Sequence, residues 1–554
     1  MRKVLLLGGY GTFGRRIAPR LVEAGFEVLV AGRNLAKAEA FCAGRPGMAP
    51  LALDRDRGLG AALAAHRPFA LVDSAGPYQG MGYEVARAAI EAGCHYLDIA
   101  DARAFVCGIG ALDAEARAAG VTAIAGASTV PALSGAVSRR LAEGLDEVRA
   151  VEMVLSATSL GTSGRSITKV ALSYLGRPIA LWRGRRWTEE YGAQSLRRRD
   201  FEVKGARPLR GRLAGLADVP DLALLPDRLP GRPAIVFRAG TDLGVHNLGL
   251  WLLSWPVRWG WFRRPESAGA FLSGFQRLTG WAGSRRSAMS IRLFGKAGER
   301  RLERRWTLIA DKDDGPQIPA LAVPILLAKL ARGEIMPGAR DGGTLLELED
   351  FAPSFAGLAV AREIVEIEQP APLYARAMGA GYSALPRAVR ELHDVLRDDG
   401  AHGRAIVTRG GNIWARLIAG LIGFPEEGEH ALHVGFVERD GRETWTRDFS
   451  GRRFSSILYE RDGLLIERFG ATAFGFELPS GRDGLEMVLR RWWLGPLPMP
   501  MALAPRTPAR EWEEDGRFRF DVEIGLPLIG PVVHYRGWLC RSDDMASAVS
   551  SAEI

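Results

Sequence analysis

Four consecutive apolar residues, Val4-Leu5-Leu6-Leu7, end abruptly in Gly8-Gly9-Tyr10-Gly11-Thr12-Phe13-Gly14. An apolar run of this length, bounded by turn residues, is the pattern of a strand buried on both faces. Ile17, Leu21 and Val22 then recur at helical spacing, and Gly25 closes that helix. A second apolar run at 27–31 reads as the next strand. The alternation continues with strands at 51–54, 69–73, 96–99 and 121–125, and with helices at about 84–92 and 112–119. Strands alternating with helices at this spacing predict a Rossmann-type α/β fold with a doubly wound parallel sheet.

The pattern changes near residues 360–375. Residues 361–373 read as a linker, and a helical stretch follows over 374–396. Beyond it apolar and polar positions alternate with period two at 403–408, 431–437, 443–449, 464–469 and 517–524. Arg-Asp-Gly and Asp-Gly turns punctuate these runs, which predicts a β-rich C-terminal domain built on an antiparallel sheet or barrel. It spans 374–545, with 546–554 as a tail.

Within the opening turn, Gly9-x-Gly11-x-x-Gly14 has the glycine spacing of a dinucleotide site. One glycine permits the tight turn, the next lets the backbone approach a pyrophosphate, and the last lets helix pack on strand. Tyr10, Thr12 and Phe13 complete the loop. The second strand ends in Gly32-Arg33-Asn34, where an NAD-binding chain usually places an acid for the ribose 2′-hydroxyl. Arg33 suits a 2′-phosphate instead, so the expected cofactor is NADP(H) rather than NAD(H). Asp54, ending the third strand, is placed to approach the adenine end.

A chain of 554 residues holds two to four domains, and 47% hydrophobic with 25% charged residues is an ordinary globular balance. The net charge of +9 raises the question of nucleic acid. Only seven of the 73 basic residues are lysine, however, and no nucleic-acid motif accompanies them. No nucleic-acid partner is expected. Cys42, Cys94, Cys107 and Cys540 lack metal spacing, and no histidine pair has a ligand pattern, so no metal is expected. Met1-Arg2-Lys3 precedes too short an apolar run for a secretory signal, which points to the cytoplasm.

The glycine loop, the Ala-Gly-Arg at 31–33 and Val72-Asp73-Ser74-Ala75-Gly76-Pro77-Tyr78 together resemble the saccharopine dehydrogenase-like reductases. So do Ala92-Gly93-Cys94-His95-Tyr96-Leu97-Asp98, Val130-Pro131-Ala132-Leu133-Ser134 and Asp314-Gly315-Pro316-Gln317-Ile318-Pro319-Ala320. The resemblance extends to about residue 350, through Gly338-Ala339-Arg340 and a strand expected at 345–348. It implies an NADP(H)-linked domain over 1–126, completed by about 318–360, and an inserted α/β substrate or dimerisation domain over 127–317. The insert's expected strands are 148–155, 234–237, 290–294 and 306–310. The C-terminal region resembles an uncharacterised domain type, domain of unknown function 4166, which implies no activity.

By this resemblance Ala75, Gly76 and Pro77 pack beside the cofactor, and Tyr78 faces the substrate or acts as a lid. Asp98 and Asp101, at the end of a sheet strand, point toward the same crevice. Either is a candidate to place a water or take a proton, with a helix-capping role as the alternative for Asp98. Ser128, Thr129, Pro131 and Ser134 are expected to line the pocket, and His95 to be structural. The Tyr-x-x-x-Lys pair of short-chain dehydrogenases is absent, since Tyr83 is followed by Arg87.

Trp251, Trp255, Trp259 and Trp261, edged by Arg258, Arg263 and Arg264, are too few for a bilayer span of roughly 20 residues. They read as an interfacial anchor, a wall around an apolar substrate, ordinary core or a homodimer contact; these stay open. The basic cluster at 183–186 and 197–199 reads as a solvated face or a phosphate contact. In the C-terminal domain the aromatic strands, Trp492, Trp493 and residues 498–501 could enclose an apolar ligand, with Arg447 orienting a carboxylate or pairing with an acid. The expectation is an NADP(H) oxidoreductase acting on a hydrophobic or amphiphilic substrate, lipid- or isoprenoid-like. The tryptophan-rich insert argues against saccharopine itself. The rival is a non-catalytic lipid-binding protein, peripheral on the cytoplasmic face of a membrane, that keeps a Rossmann scaffold.

Overall fold

In the computed structural model, described for residues 1–541 apart from 160–164, 263–264, 270–273 and 275–277, the first apolar run lies within the sheet. β1 (Arg2–Leu7), fully buried from Val4 onward, pairs in parallel with β2 (Phe26–Gly32) and with the strand Ala70–Asp73. β3 (Met48–Ala52) extends the sheet on the β2 side. β4 (Ala70–Asp73), β5 (His95–Asp98) and β6 (Thr122–Ala125) extend it on the other. The chain leaves after β6 and returns to add Gly338–Asp341 as the seventh parallel strand. The doubly wound α/β domain is thus as its periodicity predicts, with two local differences. β3 stops short of Asp54, which falls in the following turn. The returning strand is Gly338–Asp341 rather than 345–348, where Leu348–Phe351 makes a 3-10 turn.

The insert builds a second, mixed seven-stranded sheet. Its spatial order is Arg197–Phe201, Leu209–Leu216, Ala234–Thr241, Glu147–Ala157, Ser287–Ala297, Arg300–Ala310 and Val360–Glu368. The last strand corrects the reading of 361–373 as a linker. Residues 360–368 alternate exposed and half-buried positions, the signature of an edge strand, and pair along the whole of Arg300–Ala310. The 374–396 helix is broken at Pro386 into Leu373–Met378, a 3-10 turn and Arg387–His393.

The C-terminal strands form a meander of ten antiparallel strands that closes on itself. Asp398–Arg409 pairs with Gly428–Arg439 on one side and with Gly530–Cys540 on the other, and Thr472–Glu477 bonds to Gly484–Leu494. Closure leaves no free edge. Its own aromatic core is separate from that of the first two sheets.

The two halves of the basic cluster differ: Arg197 and Arg198 are exposed, as a solvated face would be, whereas 183–186 is not such a face. Arg183, Gly184, Arg185 and Arg186 form a hairpin tip that docks on the barrel. Arg183 Nη2 lies 2.7 Å from Asp398, Arg185 Nε 2.7 Å from Asp399 and Arg186 Nη2 3.0 Å from Asp448. Beside it, Glu152 of the insert receives Arg397 of the barrel at 2.8 Å and Arg199 at 3.1 Å, with Arg292 and Arg439 within 4 Å. Burial alone would raise this carboxyl, but the four arginines together pull it down to about 2.

Replacing Glu152 with Gln leaves buried guanidinium groups facing a neutral amide, and a loss of about 3–5 kcal/mol is expected by chemical denaturation. The charge contribution is complete above an ordinary pKa of 4.5 and lost as pH falls toward 2. The stability gap between wild type and variant should therefore narrow over that window.

Candidate functional site

The crevice begins at the end of β1. Gly8 turns the chain at φ +69°, and its carbonyl accepts the Gly11 N–H at 2.8 Å. α1 (Gly14–Glu23) starts flush against this turn, since a Cβ on Gly14 would lie 2.2 Å from the Gly8 oxygen. No side chain caps α1 and no acid sits in its first turn. Its leading N–H groups are left for an anion. Tyr10 lies over Gly32 at the end of β2, and its hydroxyl accepts the Asn34 N–H at 3.0 Å. Asn34 in turn caps helix Leu35–Cys42 through the Lys37 N–H. Between them Arg33 is exposed and has no ion-pair partner among the described residues. Asp54 is spent on the Asp56 N–H in its turn. The bare cradle and the uncapped helix fit the pyrophosphate of a dinucleotide.

The opposite wall is the end of β4. Ser74 Oγ donates to the Leu7 carbonyl at 2.6 Å, and Asp73 accepts the Ala75 N–H at 2.8 Å. Arg55, absent from the sequence reading, donates to the Ala75 carbonyl at 3.0 Å and lies 3.4 Å from Asp73. Nothing in the polar run Asp54-Arg55-Asp56 marks it. The Gly76–Pro77 bond is cis.

Tyr78 does not line the crevice cavity. It is buried, and its hydroxyl donates to the Asp73 carbonyl at 2.7 Å. Burial raises its pKa well above the ordinary phenol value. Asp98 is also withdrawn from the crevice. Fully buried, it accepts the Ala100 N–H at 2.9 Å and the Gly126 N–H at 2.8 Å, tying the end of β5 to that of β6. Burial pushes it up to about 7. Asp101, by contrast, lines the crevice cavity and takes a bond from Gln79 Nε2 at 3.4 Å; burial raises its carboxyl too.

That cavity, of about 330 Å³, lies between the nucleotide domain and the insert. Phe13 of the glycine loop, Asp101, Ser128 and Thr129 form one side, while Leu155, Met289, Trp306 and Leu308 form the other. Pro131 and Ser134 do not reach it. Pro131 packs on Gly126, and Ser134 Oγ donates to the buried Asp221 at 2.5 Å, within the insert. Helix Gly244–Arg258 closes the cavity with His246 and Leu250. His246 Nε2 sits 2.6 Å from Thr279 Oγ1 and was not legible from spacing. The same helix carries Trp251 and Trp255, half-buried, and leads to Trp259 and Trp261, which are 55% and 77% exposed. Neighbouring indoles in this row touch at 5.0–5.9 Å. Arg263 and Arg264 lie outside the described residues. His95 accepts the Thr122 N–H at 3.0 Å, a link between β5 and β6. Among the described residues no helix is long and apolar enough to cross a membrane.

A glycine cradle at the switch point of a parallel sheet, beside an apolar cavity, is the arrangement of a dinucleotide-binding Rossmann fold. Residues 4–124 match the family model of the saccharopine dehydrogenase NADP binding domain, and residues 385–539 match that of domain of unknown function 4166. The solved structures similar to this chain include apo saccharopine dehydrogenase (L-Glu forming) from Saccharomyces cerevisiae. It is 13% identical, with TM-score 0.46, covering 66% of this chain and 100% of that one. Another is the Bordetella bronchiseptica enzyme WbmG in complex with NAD, 21% identical, with TM-score 0.16, covering 18% of this chain and 36% of that one. No curated protein matches.

Tyr78→Phe removes only a bond to a backbone carbonyl. A loss of about 1 kcal/mol in thermal or chemical unfolding is expected, with cofactor affinity and turnover unchanged. A loss of turnover at intact fold would restore Tyr78 as a reacting group.

Proposed function

We propose that the protein is an NADP(H)-dependent oxidoreductase acting on a hydrophobic or amphiphilic substrate held in the crevice cavity. The observation that carries this reading is the cavity itself. It joins Phe13 of the nucleotide loop to apolar side chains of the insert and, among the described residues, contains one carboxylate, Asp101. When bound, NADP(H) supplies or accepts a hydride at its nicotinamide ring. The chain's own work is to orient and to handle a proton. The glycine turn and the α1 N-terminus hold the pyrophosphate, and Arg33 holds the 2′-phosphate. Leu155, Met289, Trp306 and Leu308 exclude water around the substrate. Asp101 holds or takes the proton at its carboxylate, with Ser128 and Thr129 beside it to orient a substrate oxygen. Among the described residues the cavity has no set of cationic groups for a multiply charged amino-acid substrate.

Arg33→Ala should weaken NADPH by about 10–100-fold in fluorescence titration, the cost of a charge-assisted contact, and leave NADH unchanged. Asp101→Asn should retain cofactor binding and lose about 10²–10⁴-fold in turnover. The wild-type acid limb should lie above the ordinary carboxylate range, as burial of Asp101 dictates, and disappear in the variant. Equal affinity for both coenzymes, or NADPH oxidation with amino-acid substrates alone, would sink the reading.

A second reading, peripheral contact with a membrane surface, is favoured by the exposure of Trp259 and Trp261 next to the exposed Leu252. Indoles suit the water–lipid boundary. In liposome flotation the wild type should rise with anionic vesicles and Trp259→Ser/Trp261→Ser should stay at the bottom. Equal behaviour of the two would remove this contact.

A further inference from the structure

The closed barrel contains a cavity of about 590 Å³, larger than the crevice cavity, and within the span of about 300–1,000 Å³ typical of small-molecule sites. Its wall is mainly aromatic, including Trp445, Phe449, Phe454, Phe474, Phe518 and Phe520. The polar groups are few. Arg447, Glu467 and Glu511 face the cavity together with Tyr374 and Tyr535. Arg447 Nη2 donates to Glu467 at 3.0 Å and Nη1 to Ser456 Oγ at 2.9 Å, so its charge is cancelled on the spot. Glu511 is joined to His393 Nε2 at 2.6 Å. Thr507 Oγ1, also in the lining, is buried with no hydrogen-bond partner among the described residues. An unanswered hydroxyl in an aromatic cavity is costly unless a ligand group meets it.

We propose that the barrel is a binding site for a neutral, mostly apolar molecule bearing one hydroxyl or carbonyl group. The charge balance decides between head groups. A carboxylate would meet Glu467 and Glu511 with no unpaired cation to offset it, and like charges so placed cost several kcal/mol. A bare hydrocarbon would leave Thr507 and the free donors of Arg447 unanswered. The ligand enters at the end covered by helix Ile413–Ile422, which joins two adjacent barrel strands. Ile418 and Ile422 line the cavity, while Ile413, Trp414, Leu417 and Leu421 stand exposed on the same helix. The inference does not rest on the activity assigned to the nucleotide domain.

The test uses the full chain loaded with Nile red at neutral pH and displaced by 1-hexadecanol, hexadecanoic acid or hexadecane. The alcohol should displace the dye, and the acid should be weaker by about tenfold or more. Val434→Trp, beside Arg447 in register, fills the cavity and should abolish dye binding with the unfolding midpoint retained. Arg447→Met/Glu467→Leu removes both charges at once, so neither is left unpaired, and should erase the alcohol's advantage over hexadecane. Displacement by none of the three, equal binding of acid and alcohol, or dye retained by folded Val434→Trp would overturn the proposal.

Discussion

The position of everything around the crevice follows from one contact, the approach of the first helical residue to the carbonyl that ends β1. Only a residue without Cβ tolerates that distance, and it sets where α1 emerges from the sheet. Arg20, two turns along α1, then reaches Gln317 at 3.0 Å. That bond anchors the 3-10 segment Gly315–Ala320, whose Pro316, Ile318 and Pro319 line the crevice cavity. A steric condition at residue 14 is thereby transmitted to a wall more than 300 residues away in the chain.

The arginine-rich composition finds its use at the junctions between domains. Arg183, Arg185, Arg186 and Arg397 reach across from one domain to acids of the other, and Glu152 gathers four guanidinium groups. Guanidinium suits this because its planar fork binds carboxylates through two donors and its charge does not titrate in the ordinary range. The arginines at these junctions therefore serve the packing of the domains. At the nucleotide crevice Arg33 has no ion-pair partner among the described residues.

The nucleotide domain was legible because its signals are local. Uninterrupted apolar runs, a glycine spacing and helical periodicity each report on adjacent residues, and the strands fell within a few positions of those read. The barrel was legible as alternation, but its closure was not, since pairing of Asp398–Arg409 with Gly530–Cys540 joins segments that share no local signal. The misread linker shows the same limit. Residues 360–368 carry a clean period-two pattern, yet the Pro-rich tail at 369–372 masked it, and only the partner strand makes it an edge. Site residues fared according to how their side chains are spent. Asp98 and Tyr78 sit where switch-point geometry directs attention, but the Tyr78 hydroxyl and one Asp98 oxygen are taken by neighbouring backbone, which spacing does not reveal. Arg55, His246 and the Ser134–Asp221 bond depend on contacts between distant segments.

The barrel's first and last strands are hydrogen-bonded neighbours, with His402 opposite Cys540. Where such a module begins and where it finishes are therefore side by side. A fold whose two ends meet can be joined to a host by one short tether, or spliced into a surface loop, without stretching either chain. Here the tether is four residues long, 369–372, between the edge strand of the insert and the helix that leads into the barrel.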